Sequence, residues 1–462
     1  MPKTTSHRLA EQIQLLQIAW PILISQLAQV GMTVTDTVMA GRYSAVDLAG
    51  VAFGASIWVP IYVAFAGLLV ANTSLVAHAI GANDLLRARR TAQQALWMAL
   101  LLCPLPLLML YHADSLLAVL GDATEDKAIA DRYLDILAMA VPALAWYLCM
   151  RGVAESHGFT RPVMLISLVA LALNIPLNAI FIYGYLGIAP QGGVGCAIAT
   201  ALLLTLQALA LTAVIHRHPR FYGLRLFHQF SRPHLASLRR LLALGGPIAL
   251  TSFAETALFS ATTLLLAPLG AFTVAANHIA MNISVLFFMV PFSISIATTV
   301  RVGHHLGAGQ PGQARFAALQ ALKLSLLAPV LAFLVLVFGG ETIAAWYTED
   351  EALTHIASSL LIWAALFQFS DALQTCSLGA LRGYRDTRVP FWMTLVAYWG
   401  VAVPLGYSLT YGSLGLTAWG VSGMWMGLIV GLTLAAGLLL WRLARVSRAA
   451  LTPGGKKQRA PC

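Results

Sequence analysis

The sequence predicts an all-α membrane protein with twelve transmembrane helices arranged as two pseudo-symmetric sets of six. Three observations predict it. The 462-residue chain is 59% hydrophobic and 10% charged with a mean hydropathy of +0.78, far less charged than the roughly 25% usual for soluble domains. Twelve segments reach the roughly 20 mostly apolar residues that a bilayer crossing needs: 14–40, 47–79, 93–112, 132–155, 163–187, 193–215, 241–267, 272–300, 316–339, 353–381, 389–411 and 417–441. The third observation is an internal repeat.

The repeat is read by laying the chain on itself. The register that puts Pro21 on Pro247 also superposes Val76 on Val302, Gly81-Ala82 on Gly307-Ala308, Ala88-Arg89 on Ala314-Arg315, and Gln94 to Leu96 on Gln320 to Leu322. One further residue of shift matches Thr160-Arg161 to Thr387-Arg388 and Gly193-Val194 to Gly420-Val421. Each repeat holds six spans and starts on the same side, which is the parallel-repeat arrangement found in some secondary transporters. The expected divisions are an N-terminal lobe 1–215, a basic linker 216–240, a C-terminal lobe 241–445 and a disordered tail 446–462.

The net charge of +10 is an orientation signal rather than a mark of nucleic-acid binding. With both termini in the cytoplasm, all but Arg42, Lys127, Arg132 and Lys323 of the 28 basic residues fall on the cytoplasmic side, as the positive-inside rule requires. The first apolar run is long and lacks a small-residue cleavage site, so it is expected to stay as the first span. Five cysteines, Cys103, Cys149, Cys196, Cys376 and Cys462, show no CxxC or Cys/His spacing and are assigned to packing. His304-His305 and the His216 to His218 pair sit at expected helix ends, where solvated histidines are commoner than metal ligands.

Of the 18 acidic residues, three are assigned to the membrane interior, Asp36, Glu255 and Asp371, and the others, including those near span ends, to the two faces and their loops. A charged carboxylate at the bilayer centre costs at least about 2.5–3.5 kcal/mol, so such groups usually face water and mark an ion or substrate path. The plainer reading is a protonated packing residue or one partner of a fixed ion pair, but no Lys or Arg lies near mid-span to complete a pair. The repeat places Asp36 opposite Thr262, Glu255 opposite Gln29 and Asp371 opposite Ala145, so the acids break the symmetry and imply different tasks for the lobes. Asn174 and Asn178, four apart around Pro176, share a helix face. They could bond Asp36, or equally join two helices. Pro21 and Pro247, on the spans that carry Asp36 and Glu255, are candidate hinges, although prolines also kink membrane helices for packing alone.

The chain resembles the multidrug and toxic compound extrusion (MATE) transporters, in their NorM-like branch. The resemblance is carried by Asp36 to Gly41 (DTVMAG), Gly81 to Asn83 with Arg87 to Arg90, Asn174 to Asn178 (NIPLN) leading into Tyr183-Gly184, Glu255, Gly303 to Gly309 (GHHLGAG), and Gly379 to Gly383 (GALRG) followed by Asp386-Thr387. It implies two lobes around a central cavity, alternating access, and export of cationic or amphipathic small molecules in exchange for H⁺ or Na⁺. It also implies a coupling-ion site at Glu255 and Asp371 and another at Asp36 with Asn174 and Asn178. Where relatives carry tyrosines near the C-lobe cation, this sequence has Phe288 and Phe367, which weakens the case for Na⁺ there while leaving aromatic faces that attract cations.

The expected protein is therefore an antiporter for multidrug efflux, conferring antibiotic resistance by xenobiotic export, in a bacterial inner membrane. It would need no cofactor beyond the coupling ion and no metal beyond Na⁺ at Glu255 and Asp371. Membrane lipids would surround it, and a monomer would suffice because both lobes lie in one chain. The alternative is a flippase for a lipid-linked saccharide, whose anionic cargo would favour Arg or Lys in the cavity where this sequence has acids. An enzyme is not expected, since HExxH, GxSxG and Walker motifs are missing.

Overall fold

The computed structural model describes residues 2–113, 125–413 and 417–452, with side chains from residue 7 onward. Among the described residues, twelve helices are long and apolar enough to cross a membrane: α1 His7–Tyr43, α2 Ala45–Gly81, α3 Leu85–Tyr111, α4 Glu125–Ser156, α5 Arg161–Tyr183, α6 Val194–Arg217, α7 Leu235–Leu269, α8 Ala271–Gly307, α9 Pro311–Ala345, α10 Glu351–Gly383, α11 Arg388–Tyr411 and α12 Val421–Ala449. Most run past the apolar windows that predicted them, and α3 and α10 each begin on a capping carboxylate. The Asp84 carboxylate accepts from the backbone N–H of Arg87 at 2.9 Å, and Asp350 accepts from that of Leu353 at 3.1 Å.

Two compact units result, one of residues 24–249 and one of residues 1–23 with 250–462. In the first, α4 packs between α2 and α6; in the second, α10 packs between α8 and α12. The repeat is visible at the closest approaches. Gly152 of α4 lies against Thr73 of α2, and Gly379 of α10 against Ser295 of α8, with the Thr299 hydroxyl donating to the Gly379 carbonyl at 2.8 Å. Small residues let membrane helices meet backbone to backbone. A Cβ at Gly379 would stand 2.3 Å from the Ser295 carbonyl oxygen, so Gly379→Ala should destabilise the second unit by about 1–3 kcal/mol, read as a lowered Tm in detergent.

The units divide inside two helices, two residues beyond Pro21 in α1 and two beyond Pro247 in α7. The start of α1 is fixed to the second unit by Glu11, which receives the Arg301 guanidinium at 2.9 and 2.7 Å, and by the Gln12 amide donating to Gln320 at 3.1 Å. A repeat boundary in sequence and a packing boundary in space are thus different partitions of this chain.

The basic connection differs from an open linker. Helix α6 ends at Arg217 and α7 begins at Leu235, and the stretch between is strapped to α3. The Gln93 amide donates to the Leu226 carbonyl at 2.7 Å and accepts from Ser231 N at 3.1 Å, while Gln94 and Trp97 donate to the carbonyls of Arg232 and Ser231 at 2.8 and 2.9 Å. Residues 446–449, expected in a disordered tail, complete α12, because the apolar face of that helix continues through Leu443 to the buried Ser447. The tail from 453 on, with Cys462, lies outside the described residues.

Arg151, one of the basic residues counted on the cytoplasmic side, is buried in α4, its Nε donating to Glu155 at 2.7 Å and its Nη2 to Gln26 at 3.0 Å, so both charges are compensated where they are desolvated. Just beyond, His157 packs on Phe221 of the strap at 4.8 Å and its Nδ1 lies 2.8 Å from the Val153 carbonyl. Burial lowers its pKa below the ordinary histidine value, and the nearby Arg220 charge adds to this. The contact therefore contributes full stability above about pH 6.5, the ordinary value, and loses it as pH falls and the imidazole must charge. His157→Gln should flatten the fall in Tm between pH 7.5 and 5.

Candidate functional site

Each unit holds one carboxylate centre, built on the buried Asp36 in the first and on the buried Asp371 with the half-buried Glu255 in the second. In the first, Asp36 comes from α1, Asn174 and Asn178 from α5, and Thr200 from α6. The i, i+4 spacing on α5 turns both amides to the same side, and their Nδ2 groups donate to Asp36 Oδ1 at 3.0 and 2.6 Å. The Thr200 hydroxyl donates to Oδ2 at 3.4 Å, and Asn178 also donates to Asn174 Oδ1 at 3.3 Å. The remaining amide oxygen, Asn178 Oδ1, is buried and accepts no hydrogen bond. A carboxylate beside a spare amide oxygen is a donor set that suits a hard cation as well as a proton.

In the second unit Glu255 projects from α7 and Asp371 from α10, within electrostatic reach of each other. Their hydrogen bonds are weak. Glu255 Oε1 accepts from the Gln374 amide at 3.3 Å and the Tyr398 hydroxyl at 3.5 Å, and Asp371 Oδ1 accepts from Thr375 at 3.5 Å, all at or beyond the normal range. Gln374 also donates to the Tyr398 hydroxyl, and its own Oε1 is a second buried acceptor without a partner. Two neighbouring carboxylates and an idle amide oxygen call for a positive charge among them.

One fixed cation, Arg382, acts on these centres, through Glu255. Among the described residues none of the three acids is salt-bridged; the ion pairs there include Arg151–Glu155, Arg301–Glu11 and Arg442–Asp386. Arg382, three turns along α10 from Asp371, acts on Glu255 through space.

Residues 21–180 and 247–408 match the MatE family model. The chain belongs to the MatE family. It is 44% identical over 446 residues to the multidrug resistance protein PmpM of Pseudomonas aeruginosa, covering 95% of this chain and 92% of that protein. With the probable multidrug resistance protein NorM of Shewanella oneidensis it shares 42% identity, covering 94% and 95% of the two chains. In fold it matches a crystal structure of MATE in a bent conformation, with a TM-score of 0.86 at 22% identity over 96% of this chain and 97% of that one. The eukaryotic MATE transporter AtDTX14 matches with a TM-score of 0.84 at 21% identity, over 96% and 98% of the chains. As a MatE protein it is a multi-pass membrane transporter and not an enzyme.

Within this MatE chain the structure brings Asp36, Asn174 and Asn178 together, and Glu255 with Asp371. It does not bring the two phenylalanines to the carboxylates in the same way. Phe367, one turn before Asp371, is core, its ring against Phe259 at 6.1 Å and Trp425 at 5.9 Å. Phe288 is half-buried against Phe292 at 5.5 Å. The hydroxyl expected to be lost is supplied from elsewhere, by the fully buried Tyr398. That residue sits in a π-helical stretch of α11, Val396–Ala402, a local widening often found at functional sites. Sequence reading missed Tyr398, Gln374, Thr375 and Thr200. Gln374 and Thr375 could have been found by asking which polar residues lie three and four after Asp371; Tyr398 and Thr200 carry no such local signal.

Proposed function

We propose that this protein is a secondary active multidrug efflux antiporter that exports cationic or amphipathic compounds in exchange for H⁺ or Na⁺ by alternating access. The observation that carries the reading is the pair of carboxylate centres, each furnished with an unpartnered amide oxygen and no fixed counter-charge in a salt bridge. An exchangeable cation completes such a centre. Occupancy by the coupling ion then disfavours the drug cation and the reverse, which is the reciprocity that linkage demands. A charge crossing 100 mV supplies about 2.3 kcal/mol, enough for a gradient of somewhat under two decades.

The names of the curated relatives, multidrug resistance proteins, support drug-like cargo. The distribution of basic residues supports both termini in the cytoplasm of a bacterial inner membrane. Pro21 and Pro247 serve as the hinges: each stands two residues before the point where its helix passes from one compact unit to the other, where a missing backbone hydrogen bond makes bending cheap. The two six-helix lobes, 1–215 and 241–445 by sequence, lie in one chain, so a monomer suffices for transport.

The test is efflux of ethidium from proteoliposomes with a pH or a Na⁺ gradient imposed separately. One gradient should drive export and so identify the coupling ion. If neither does, the antiporter reading fails, and lipid-linked saccharide flipping becomes the activity to assay.

A further inference from the structure

The strap between α6 and α7 and the first turns of α3 form a basic surface that the transport reading does not use. Residues 217–240 contain six arginines and no acid, and α3 adds Arg87, Arg89 and Arg90. The nearby acid, Asp84, is occupied by capping the backbone N–H of Arg87. Gln93, Gln94 and Trp97 hold the strap to α3, so these charges are fixed rather than carried on a loose loop.

Two details show how this positive charge is crowded. Arg240, at the start of α7, and Arg87, at the start of α3, come close enough to repel each other. The Nε of Arg89 is buried and makes no hydrogen bond. Folded proteins rarely leave guanidinium groups so placed without an anion.

The margin of this surface is apolar. Gly223 of the strap stands against Leu85, and Leu85, Leu86 and Tyr222 are 41%, 47% and 59% exposed. A simple phosphate or a nucleic acid would use the arginines and leave the leucines bare. An anion with hydrocarbon chains would use both.

We propose that this surface binds an anionic phospholipid, with the phosphodiester between Arg87 and Arg240 and the acyl chains along Leu85 and Leu86 beside Tyr222. Bidentate guanidinium contacts suit a phosphodiester, and the ends of α3 and α7 are where headgroups meet a membrane protein. Binding would tie α3, the strap and α7 together, adding to the stability of the first unit.

The test is thermal unfolding of the full chain in detergent, titrated with phosphatidylglycerol, phosphatidylcholine or inorganic phosphate. Phosphatidylglycerol should raise Tm well beyond the effect of phosphatidylcholine, and inorganic phosphate should not reproduce the rise. In Arg87→Gln/Arg240→Gln the phosphatidylglycerol concentration for half the rise should increase about thirty-fold, and in Arg240→Gln alone about five-fold. Arg132→Gln, on the exposed part of α4, should behave as wild type. The proposal is overturned if the double variant keeps the wild-type midpoint, if phosphatidylcholine stabilises equally, or if inorganic phosphate gives the same shift. Should the double variant fail to fold, the single variant decides alone.

Discussion

Asp371→Asn and Glu255→Gln are each expected to lower gradient-driven export by about 5–150-fold, the range of a typical coupling free energy, while leaving insertion intact. The two carboxylates are neighbours with hydrogen bonds of only 3.3–3.5 Å, so their ionised forms lean on an exchangeable cation more than on protein donors. Removing one charge removes the reason for that cation to bind. Initial export rates from proteoliposomes, normalised to inserted protein, read the loss; unchanged rates in both variants would dismiss this centre as the coupling site. Tyr398→Phe adds a finer test. Its hydroxyl oxygen offers a ligand to Na⁺ but is dispensable for carrying a proton, so the variant should weaken an Na⁺-driven process about three- to ten-fold and leave an H⁺-driven one nearly unchanged.

Asp36→Asn is expected to have an effect of similar size through a different cause. Asp36 accepts three side-chain hydrogen bonds, the shortest 2.6 Å from Asn178, so its charge is well held by amide dipoles. Replacing it with an amide keeps the size but sets an N–H₂ group among donors, and removes the charge that a cation would meet. Asn178→Ala should weaken cation binding by about 1.5–3 kcal/mol, the usual worth of a hydrogen bond to a charged group, without abolishing insertion. If Asp36→Asn exports normally while Asp371→Asn does not, the first unit's centre is structural and only the second drives transport.

Much of this could be read from the sequence because hydrocarbon imposes simple rules. Apolar runs gave the twelve helices, and three mid-span carboxylates stood out because nothing else there was charged. Asn174 and Asn178 were visible through their four-residue spacing, though whether they met Asp36 or another helix was open until α1 and α5 were seen side by side. Other features depend on contacts distant in sequence. Tyr398 reaches Glu255 from a π-helical stretch of α11, 143 residues away in sequence, and no local motif announces that. The compensation of Arg151 was hidden because one of its two partners, Gln26, lies 125 residues away on α1. The strap read only as a basic linker because Gln93 and Gln94, 133 to 140 residues away from their partners, are ordinary polar residues on α3. The transfer of α1 between units near Pro21 is likewise invisible to a repeat search, which compares residues and not their neighbours.

The most direct measurement is the affinity of the purified protein for a fluorescent cation, by anisotropy, as Na⁺ or H⁺ concentration is raised. Competition for the carboxylate centres predicts that the coupling ion weakens drug binding in the wild type, and that Asp36→Asn/Glu255→Gln/Asp371→Asn binds with no ion dependence. Binding indifferent to both ions in the wild type, or an ion dependence that survives the triple substitution, would contradict it.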